Sequence, residues 1–170
     1  MPTAADATAA RRYSPRGTTA DTTATATESI MTASSGGNAE PAPGRTGTAT
    51  VRVTDAQSAP VLGSGRAPVF ATPAMVALIE AAAVDCVESV LAEGQETLGI
   101  HIDVEHIAAT PIGMQVTAHA ALIARDGRKL TFAVEARDER ELIGRGKHTR
   151  IIVDSARFRA KTQAKLQPKA

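Results

Sequence analysis

One long helix-compatible segment, followed only by strand-like segments, restricts this chain to few architectures. Thr72 and Pro73 predict a helix start, because threonine is a favoured N-cap and proline suits the first helical position. Residues 74–91 are rich in alanine and aliphatic residues, and Gly94 predicts the end of the helix. One apolar helix followed by an antiparallel meander predicts an α+β domain. A sheet wrapped around such a helix is the hotdog arrangement.

The strand-like segments are separated by clear turn signals. Residues 50–54 alternate between apolar and polar types before the helix, and four further segments follow it at residues 98–108, 114–124, 130–136 and 143–153. Asp126-Gly127 is a two-residue hairpin signal, and the charged residues 138–141 predict a second turn. The meander therefore supplies an antiparallel sheet.

The two ends of the chain differ in composition from this core. Residues 1–46 are dominated by alanine and threonine and have few large apolar side chains, which predicts a disordered segment. Met31 is an alternative start of translation within it. The folded domain is predicted at residues 47–156, followed by a basic tail at residues 157–170 that can carry a short helix.

Charge and composition exclude several classes of function. The net charge of +1 and the scarcity of aromatic residues argue against nucleic-acid binding. No apolar run approaches the roughly 20 residues that span a bilayer, and no secretory signal is present. Cys86 is the only cysteine, so an intramolecular disulfide is impossible. We expect a cytoplasmic protein that binds neither nucleic acid nor membrane.

Glu80 is the most informative residue of the predicted helix. Its neighbours three and four positions away are all apolar: Val76, Ala77, Ala83 and Val84. A carboxylate in an apolar stripe loses hydration and becomes a stronger base, as general-base chemistry requires. The alternative is a solvated glutamate at the edge of a subunit contact.

His106 is a similar anomaly in a strand. With a period of two, it shares a face with Ile100, Ile102, Val104 and Ala108, which predicts that its side chain points inward. The alternative is a hydrogen-bonded core histidine without a catalytic role. The opposite face carries three polar side chains in line, but a solvated strand face explains them better than a metal site. These are His101, Asp103 and Glu105.

Three blocks of sequence resemble the fluoroacetyl-CoA thioesterase family of hotdog proteins. The first is VFATPAMVALIEAA at residues 69–82. The second runs from TLGI at residues 97–100 through VEH at residues 104–106 to ATPIG at residues 109–113. The third combines IGRG at residues 143–146 with HTR at residues 148–150. The resemblance covers roughly residues 51–165.

The resemblance implies a catalytic set and a reaction. The family's threonine, glutamate and histidine map onto Thr72, Glu80 and His106, and a family glycine beside the site maps onto Gly99. Arg150 matches a family arginine on the last strand, where we expect it to bind substrate, for example the phosphates of CoA. The implied activity is hydrolysis of a short-chain acyl-CoA to free acid and CoA, with no metal and no cofactor beyond the substrate.

Two features qualify the implied mechanism. Eight residues of helix span about 12 Å, so Thr72 cannot touch Glu80 unless the chain folds back or the two meet across a homodimer or a dimer of dimers. The fluoroacetyl-specific member closes its pocket with phenylalanines before the helix, whereas residues 63–66 contain no aromatic residue. The alternatives to a thioesterase are an acyl-CoA-binding regulatory module and a hotdog dehydratase or hydratase.

Overall fold

The computed structural model describes residues 40–167, which form one antiparallel sheet curled around a long helix. Five strands and two helices make up this part of the chain. They are β1 (Thr46–Arg52), α1 (Thr72–Val87), β2 (Gln95–His106), β3 (Gln115–Asp126), β4 (Lys129–Asp138), β5 (Leu142–Asp154) and α2 (Ser155–Gln163). The predicted α+β class and the hotdog arrangement are confirmed.

The sheet has the strand order β1-β3-β4-β5-β2, and every neighbouring pair is antiparallel. The chain crosses from β1 to the opposite edge through α1, and β3, β4 and β5 then form a meander between the two edges. Consequently β2 is an edge strand, and it pairs only with β5 within the described chain. This placement matters below, because β2 carries Gly99 and His106.

The core lies between α1 and the concave face of the sheet. From the helix it takes Met75, Ile79 and Cys86, which have no exposed surface, and Phe132 lies opposite them on β4. Burial raises the pKa of the Cys86 thiol, consistent with a packing role. The approach of β1 to the helix is so close that a Cβ at Gly47 would collide with the α1 backbone.

The helix is shorter than predicted and starts differently. Its N-cap is Ala71, without a capping side chain, and Thr72 is the first helical residue, so the prediction that Thr72 is the N-cap was wrong. The threonine hydroxyl is engaged elsewhere, as described below. The helix ends at Val87 and continues only as a 3₁₀ turn, Glu88–Val90, before Gly94 adopts a positive φ of 78°.

A β-bulge in β2 changes which residues face inward. Gly99 pairs with Arg150 and His101 pairs with Thr149, so Ile100 is an extra residue without a partner. The period-two pattern therefore breaks at this point, and Ile100 is 53% exposed although we expected it on the core face. Ile102 packs against the core as predicted.

The turns and ends shift by a few residues from their predicted positions. The hairpin loop is residues 127–128 rather than 126–127, since Asp126 pairs with Lys129. The folded part begins before residue 47, because β1 starts at Thr46 and Arg125 binds Glu40 at 2.8 Å. The disorder predicted for residues 1–39 lies outside the described residues. The tail helix is present but starts at Ser155. Within residues 40–167, no helix is long and apolar enough to cross a membrane.

Candidate active site

Glu80 projects from the middle of α1 toward β2 and β5. Its carboxylate Oε2 accepts a hydrogen bond from Nη1 of Arg150 at 3.3 Å. The Glu80 side chain is 42% exposed whereas that of Arg150 is 6% exposed, so the carboxylate is open to solvent on one side and held from the protein interior on the other. Glu80 therefore lies between the two predicted alternatives, neither fully desolvated nor fully solvated, and a buried cation contacts its carboxylate.

Arg150 is fixed by four contacts, although it is a buried charge. Its Nε donates to the hydroxyl oxygen of Thr97 at 2.9 Å, and its Nη2 donates to the Thr97 carbonyl at 2.8 Å. Nη1 lies 3.1 Å from Nε2 of His148, in addition to its contact with Glu80. Burial lowers the pKa of Arg150, and the charge of Glu80 partly offsets this. Such a network compensates for the lost hydration of the guanidinium.

The interior position of Arg150 changes the role predicted for it. A guanidinium that is 6% exposed and bound to Thr97, His148 and Glu80 is not placed to meet phosphates at the surface. Its geometry instead orients the Glu80 carboxylate. Within the protomer, Arg150 thus contacts the Glu80 carboxylate from the interior side, and its predicted contact with substrate stays a prediction.

His148 and Thr97 belong to this network, and sequence reasoning did not single them out. His148 is 1% exposed, and its Nδ1 lies 2.8 Å from the carbonyl oxygen of His101. The period-two argument that selected His106 could have found it, because His148, Arg150 and the buried Ile152 share one face of β5. No comparable signal marks Thr97, because a buried threonine is ordinary in a strand.

Thr72 and His106 form a second pair at the start of α1. The Thr72 hydroxyl and His106 Nδ1 are hydrogen-bonded at 2.9 Å. Burial lowers the pKa of His106, which favours the neutral imidazole. The other ring nitrogen, Nε2, is buried and has no hydrogen-bond partner among the described residues. A buried nitrogen without a hydrogen-bond partner destabilises the folded state, and such atoms are often found where a protein binds a ligand.

Within one protomer the three predicted catalytic residues do not all meet: Thr72 contacts His106, but neither reaches Glu80. The helix is unbroken from Thr72 to Glu80, so these residues remain about 12 Å apart along its axis. Glu80 lies beside Gly99, where a Cβ would stand 3.2 Å from its Oε2. His106 lies seven residues further along β2, which corresponds to roughly 20 Å even with one bulged residue. The chain thus contains two half-sites, Glu80–Arg150 and Thr72–His106.

Neither a metal cluster nor the main cavity coincides with these half-sites. Among the described residues, no three histidine, cysteine or acidic side chains are placed to hold a metal ion. A cavity of about 790 Å³ lies against the outer face of the sheet, lined by Glu135 and Lys147 among others. None of the candidate catalytic side chains lines it. Within the protomer it is therefore separate from Glu80 and His106.

Comparison with known proteins identifies a family for this chain. The family model described as fluoroacetyl-CoA-specific thioesterase matches residues 53–156. The fluoroacetyl-CoA thioesterase of Streptantibioticus cattleyicolor is 42% identical over 97 residues, which are 57% of this chain and 70% of that protein.

Solved structures give the same result. The fluoroacetyl-CoA thioesterase FlK superposes with a TM-score of 0.70 at 34% identity, covering 75% of this chain and 98% of FlK. A thioesterase superfamily member from Thermus thermophilus gives 0.67 at 27% identity, covering 73% and 92% of the two chains. A hot-dog-like protein from Thermanaerovibrio acidaminovorans gives 0.68 at 18% identity, covering 75% and 94%, which supports the fold alone. The chain belongs to the fluoroacetyl-CoA-specific thioesterase family and is a thioester hydrolase with the hotdog fold.

Proposed function

We propose that this protein hydrolyses short-chain acyl-CoA thioesters to the free acid and CoA, and that it does so as a homodimer. The observation that carries the proposal is the division of the catalytic set. In each protomer the Glu80 carboxylate is hydrogen-bonded to the buried Arg150. The imidazole of His106 is hydrogen-bonded to the hydroxyl of Thr72 at a separate place. Neither half contains both the base and the proton carrier that thioester cleavage needs.

An antiparallel pairing of β2 with β2 of a second copy would join the two halves. Because β2 is a sheet edge, its outer backbone groups are free to pair. A two-fold axis between Ile102 and Asp103 would place Gly99, which lies beside Glu80, opposite His106 of the partner subunit, because the two residues are equally far from that axis along β2. Two composite sites result. The exposed Ile100 and Ile107, 53% and 49% exposed, lie at the same edge and support its burial in a dimer.

The reaction in such a composite site follows from the two half-sites. Glu80 acts on the thioester carbon, either directly or by taking a proton from a water molecule that adds to it. The carbon–sulfur bond then breaks, and CoA leaves as thiolate. In the water route, the proton taken by Glu80 passes to the unpartnered Nε2 of His106 and from there to the thiolate. Thr72 orients the imidazole through Nδ1. In the direct route, attack by Glu80 gives an acyl–Glu80 anhydride and the thiolate; water then hydrolyses the anhydride, which restores the carboxylate, and a proton of that water passes through His106 to the thiolate. In either route one water is consumed, and one acid and one thiol are formed.

The preference for a short acyl group rests on the packing behind Glu80. Ile79 and Ala83 have no exposed surface, so the core beside the carboxylate is filled and offers no channel for a long chain. Two of the three phenylalanines are core residues, Phe70 and Phe132, and Phe158 lies on α2. The loop at residues 63–66 thus has no aromatic side chain with which to close over the acyl group. We therefore expect little discrimination between fluoroacetyl-CoA and acetyl-CoA.

Free-thiol release from a panel of acyl-CoAs tests the activity. The panel includes acetyl-, fluoroacetyl- and a long-chain acyl-CoA, with wild type and His106→Ala. We expect turnover of the short esters by wild type and a loss of about 10²- to 10⁴-fold in the variant. CoA-ester binding without any thiol release by wild type would refute the thioesterase assignment.

Mixed dimers test the composite site. Glu80→Gln and His106→Ala homodimers should each be nearly inactive, but refolding them together creates heterodimers with one intact site. With random assortment, roughly a quarter of the wild-type rate should return. Heterodimers that form yet show no recovery would contradict the shared site. Single turnover in ¹⁸O-water then tests the direct route, because label found in the Glu80 carboxylate would establish that this group is the nucleophile.

A further inference from the structure

His148 is the one buried imidazole that the reaction above does not use. It lies on β5, two residues before Arg150, and is stacked on Phe132 with ring centroids 6.4 Å apart. Both of its ring nitrogens have partners: Nδ1 contacts the carbonyl of His101 and Nε2 contacts Nη1 of Arg150. A histidine with both nitrogens bound in the interior has a defined tautomer, which its partners reveal.

The two partners allow only one protonation state. A backbone carbonyl can only accept, so Nδ1 of His148 carries the hydrogen and donates to His101. A guanidinium can only donate, so Nε2 must be an unprotonated acceptor for Nη1 of Arg150. His148 is therefore a neutral acceptor. Burial also lowers its pKa, and the charge of Arg150 lowers it further, which agrees with this assignment.

The contacts form a continuous series from the backbone to the catalytic carboxylate. The His101 carbonyl, next to the β2 bulge, accepts from Nδ1 and so fixes the orientation of the His148 ring. Nε2 of the ring then accepts one hydrogen of Arg150 Nη1. The remaining hydrogen of Nη1 is then directed at Glu80 Oε2. Thr97 binds the opposite edge of the planar guanidinium, at Nε and Nη2, so Thr97 and His148 together hold all three of its nitrogens, and His148 is the contact on the edge that faces Glu80.

We infer that His148 is a positioning residue for the proposed thioesterase reaction: as a fixed neutral acceptor it orients the Arg150 guanidinium so that Arg150 holds the Glu80 carboxylate in place. It touches neither substrate nor the reacting atoms. Its catalytic contribution rests on the proposed function of Glu80, whereas its control of Arg150 geometry does not. Loss of the acceptor should allow the guanidinium edge that carries Nη1 to move and the Glu80 carboxylate to swing toward solvent.

Two substitutions separate the acceptor from the rest of the ring. His148→Gln carries an amide oxygen near the position of Nε2 and can still accept from Arg150. His148→Asn carries its amide nitrogen near the position of Nδ1, so it keeps the donation to His101 and loses the acceptor for Arg150. Phe132→Leu is the control for packing, because it disturbs the stack against His148 without removing any contact of Arg150.

The kinetic test is a comparison of kcat and KM for thiol release from acetyl-CoA. His148→Asn should lower kcat by about 10- to 100-fold with KM changed by no more than about 3-fold, because misplacement of a catalytic group affects the transition state more than binding. His148→Gln should recover most of that loss, and Phe132→Leu should not reproduce it. Equal activity of the Asn and Gln variants, or a loss confined to KM, would overturn the inference.

A spectroscopic test does not depend on turnover. A guanidinium held on both edges should give slowly rotating, separate Nη signals of Arg150 in ¹⁵N NMR. These signals should persist in His148→Gln and broaden in His148→Asn. Unchanged signals in the Asn variant would refute the positioning role whatever the activity. If the signals respond as expected but wild type cleaves no acyl-CoA, the positioning stands and the proposed reaction fails.

Discussion

Replacing Gly99 by alanine inserts one methyl group between the His148 ring and the Glu80 carboxylate. A Cβ at this position would stand 3.1 Å from Cε1 of His148 and 3.2 Å from Oε2 of Glu80. Ordinary contacts between such atoms are about 3.5–4.0 Å, so something must move by roughly 0.4 Å. The His148 ring is held at both nitrogens, whereas Glu80 is 42% exposed and ends in a flexible carboxylate. Because the ring cannot retreat, the new methyl group shifts away from it toward Glu80, and the carboxylate is displaced by a similar distance.

The expected loss of rate follows from the displacement of the Glu80 carboxylate. Displacing a catalytic group by 1 Å costs about 10²-fold in rate, so 0.4 Å corresponds to roughly 5- to 10-fold, or about 1–1.4 kcal/mol of activation free energy. The free energy of unfolding should change less. The strain of the added methyl is relieved by the swing of Glu80 into solvent, and replacing glycine in a strand returns about 0.5–1 kcal/mol. We expect Gly99→Ala to lower activity by more than it lowers stability.

The assay pairs steady-state thiol release with urea unfolding. Gly65→Ala is the matched control, because its Cβ would meet only Ala59 at an ordinary 3.6 Å. We expect reduced kcat for Gly99→Ala, little change in its unfolding midpoint, and no effect of the control on either. A fully active Gly99→Ala variant would show that the carboxylate does not need its position on Arg150, and the reasoning about this site would be wrong.

Three further predictions concern the Thr72–His106 half-site, the pH dependence of the free energy of unfolding, and a buried threonine in the loop before β3. Thr72→Ser should retain most activity whereas Thr72→Val should lose about 10-fold in kcat, measured by thiol release, because only serine keeps the hydroxyl on His106. Since burial lowers the pKa values of His106 and His148, the unfolded chain binds more protons, so the free energy of unfolding should decline as pH falls below about 6.5. Urea titrations between pH 5 and 8 should show this slope, and it should be smaller in His148→Gln; a flat profile would refute it. Thr110→Val removes a 3.0 Å hydrogen bond to Asp138 from a fully buried side chain and should lower stability by about 1 kcal/mol in urea unfolding, with thiol release unchanged.

The bulge in β2 shows where sequence periodicity stops being informative. Up to Gly99 the inward-facing residues are odd-numbered, and from Ile102 they are even-numbered, because Ile100 adds one unpaired residue. No local pattern marks the change, since Ile100 is as apolar as a core residue. The bulge depends on the register with β5, which is a long-range pairing and not a property of the segment itself.

The hydrogen-bond network around Glu80 could not be predicted from local sequence patterns either. Glu80 and His106 stood out because a polar residue interrupts an apolar period, which is a local signal. Arg150 was identified through the family resemblance, but its role depends on burial against Thr97 and His148, which are 53 and two residues away in sequence. A buried cation takes its function from its partners, and these are known only once the strands are paired.

The sequence by itself determined the class of the fold and pointed to Glu80 and His106 as candidate catalytic groups. Hydrophobic period, proline and glycine placement, and turn residues are local properties that decide helix against strand, and they placed α1 and the meander to within a few residues. Tertiary structure alone decided the arrangement of the site: that Thr72 binds His106 rather than capping α1, and that Arg150 is held by Thr97 and His148. The physical reason is that hydrogen bonds and burial depend on distances in space, and strand register sets these between residues far apart in the chain.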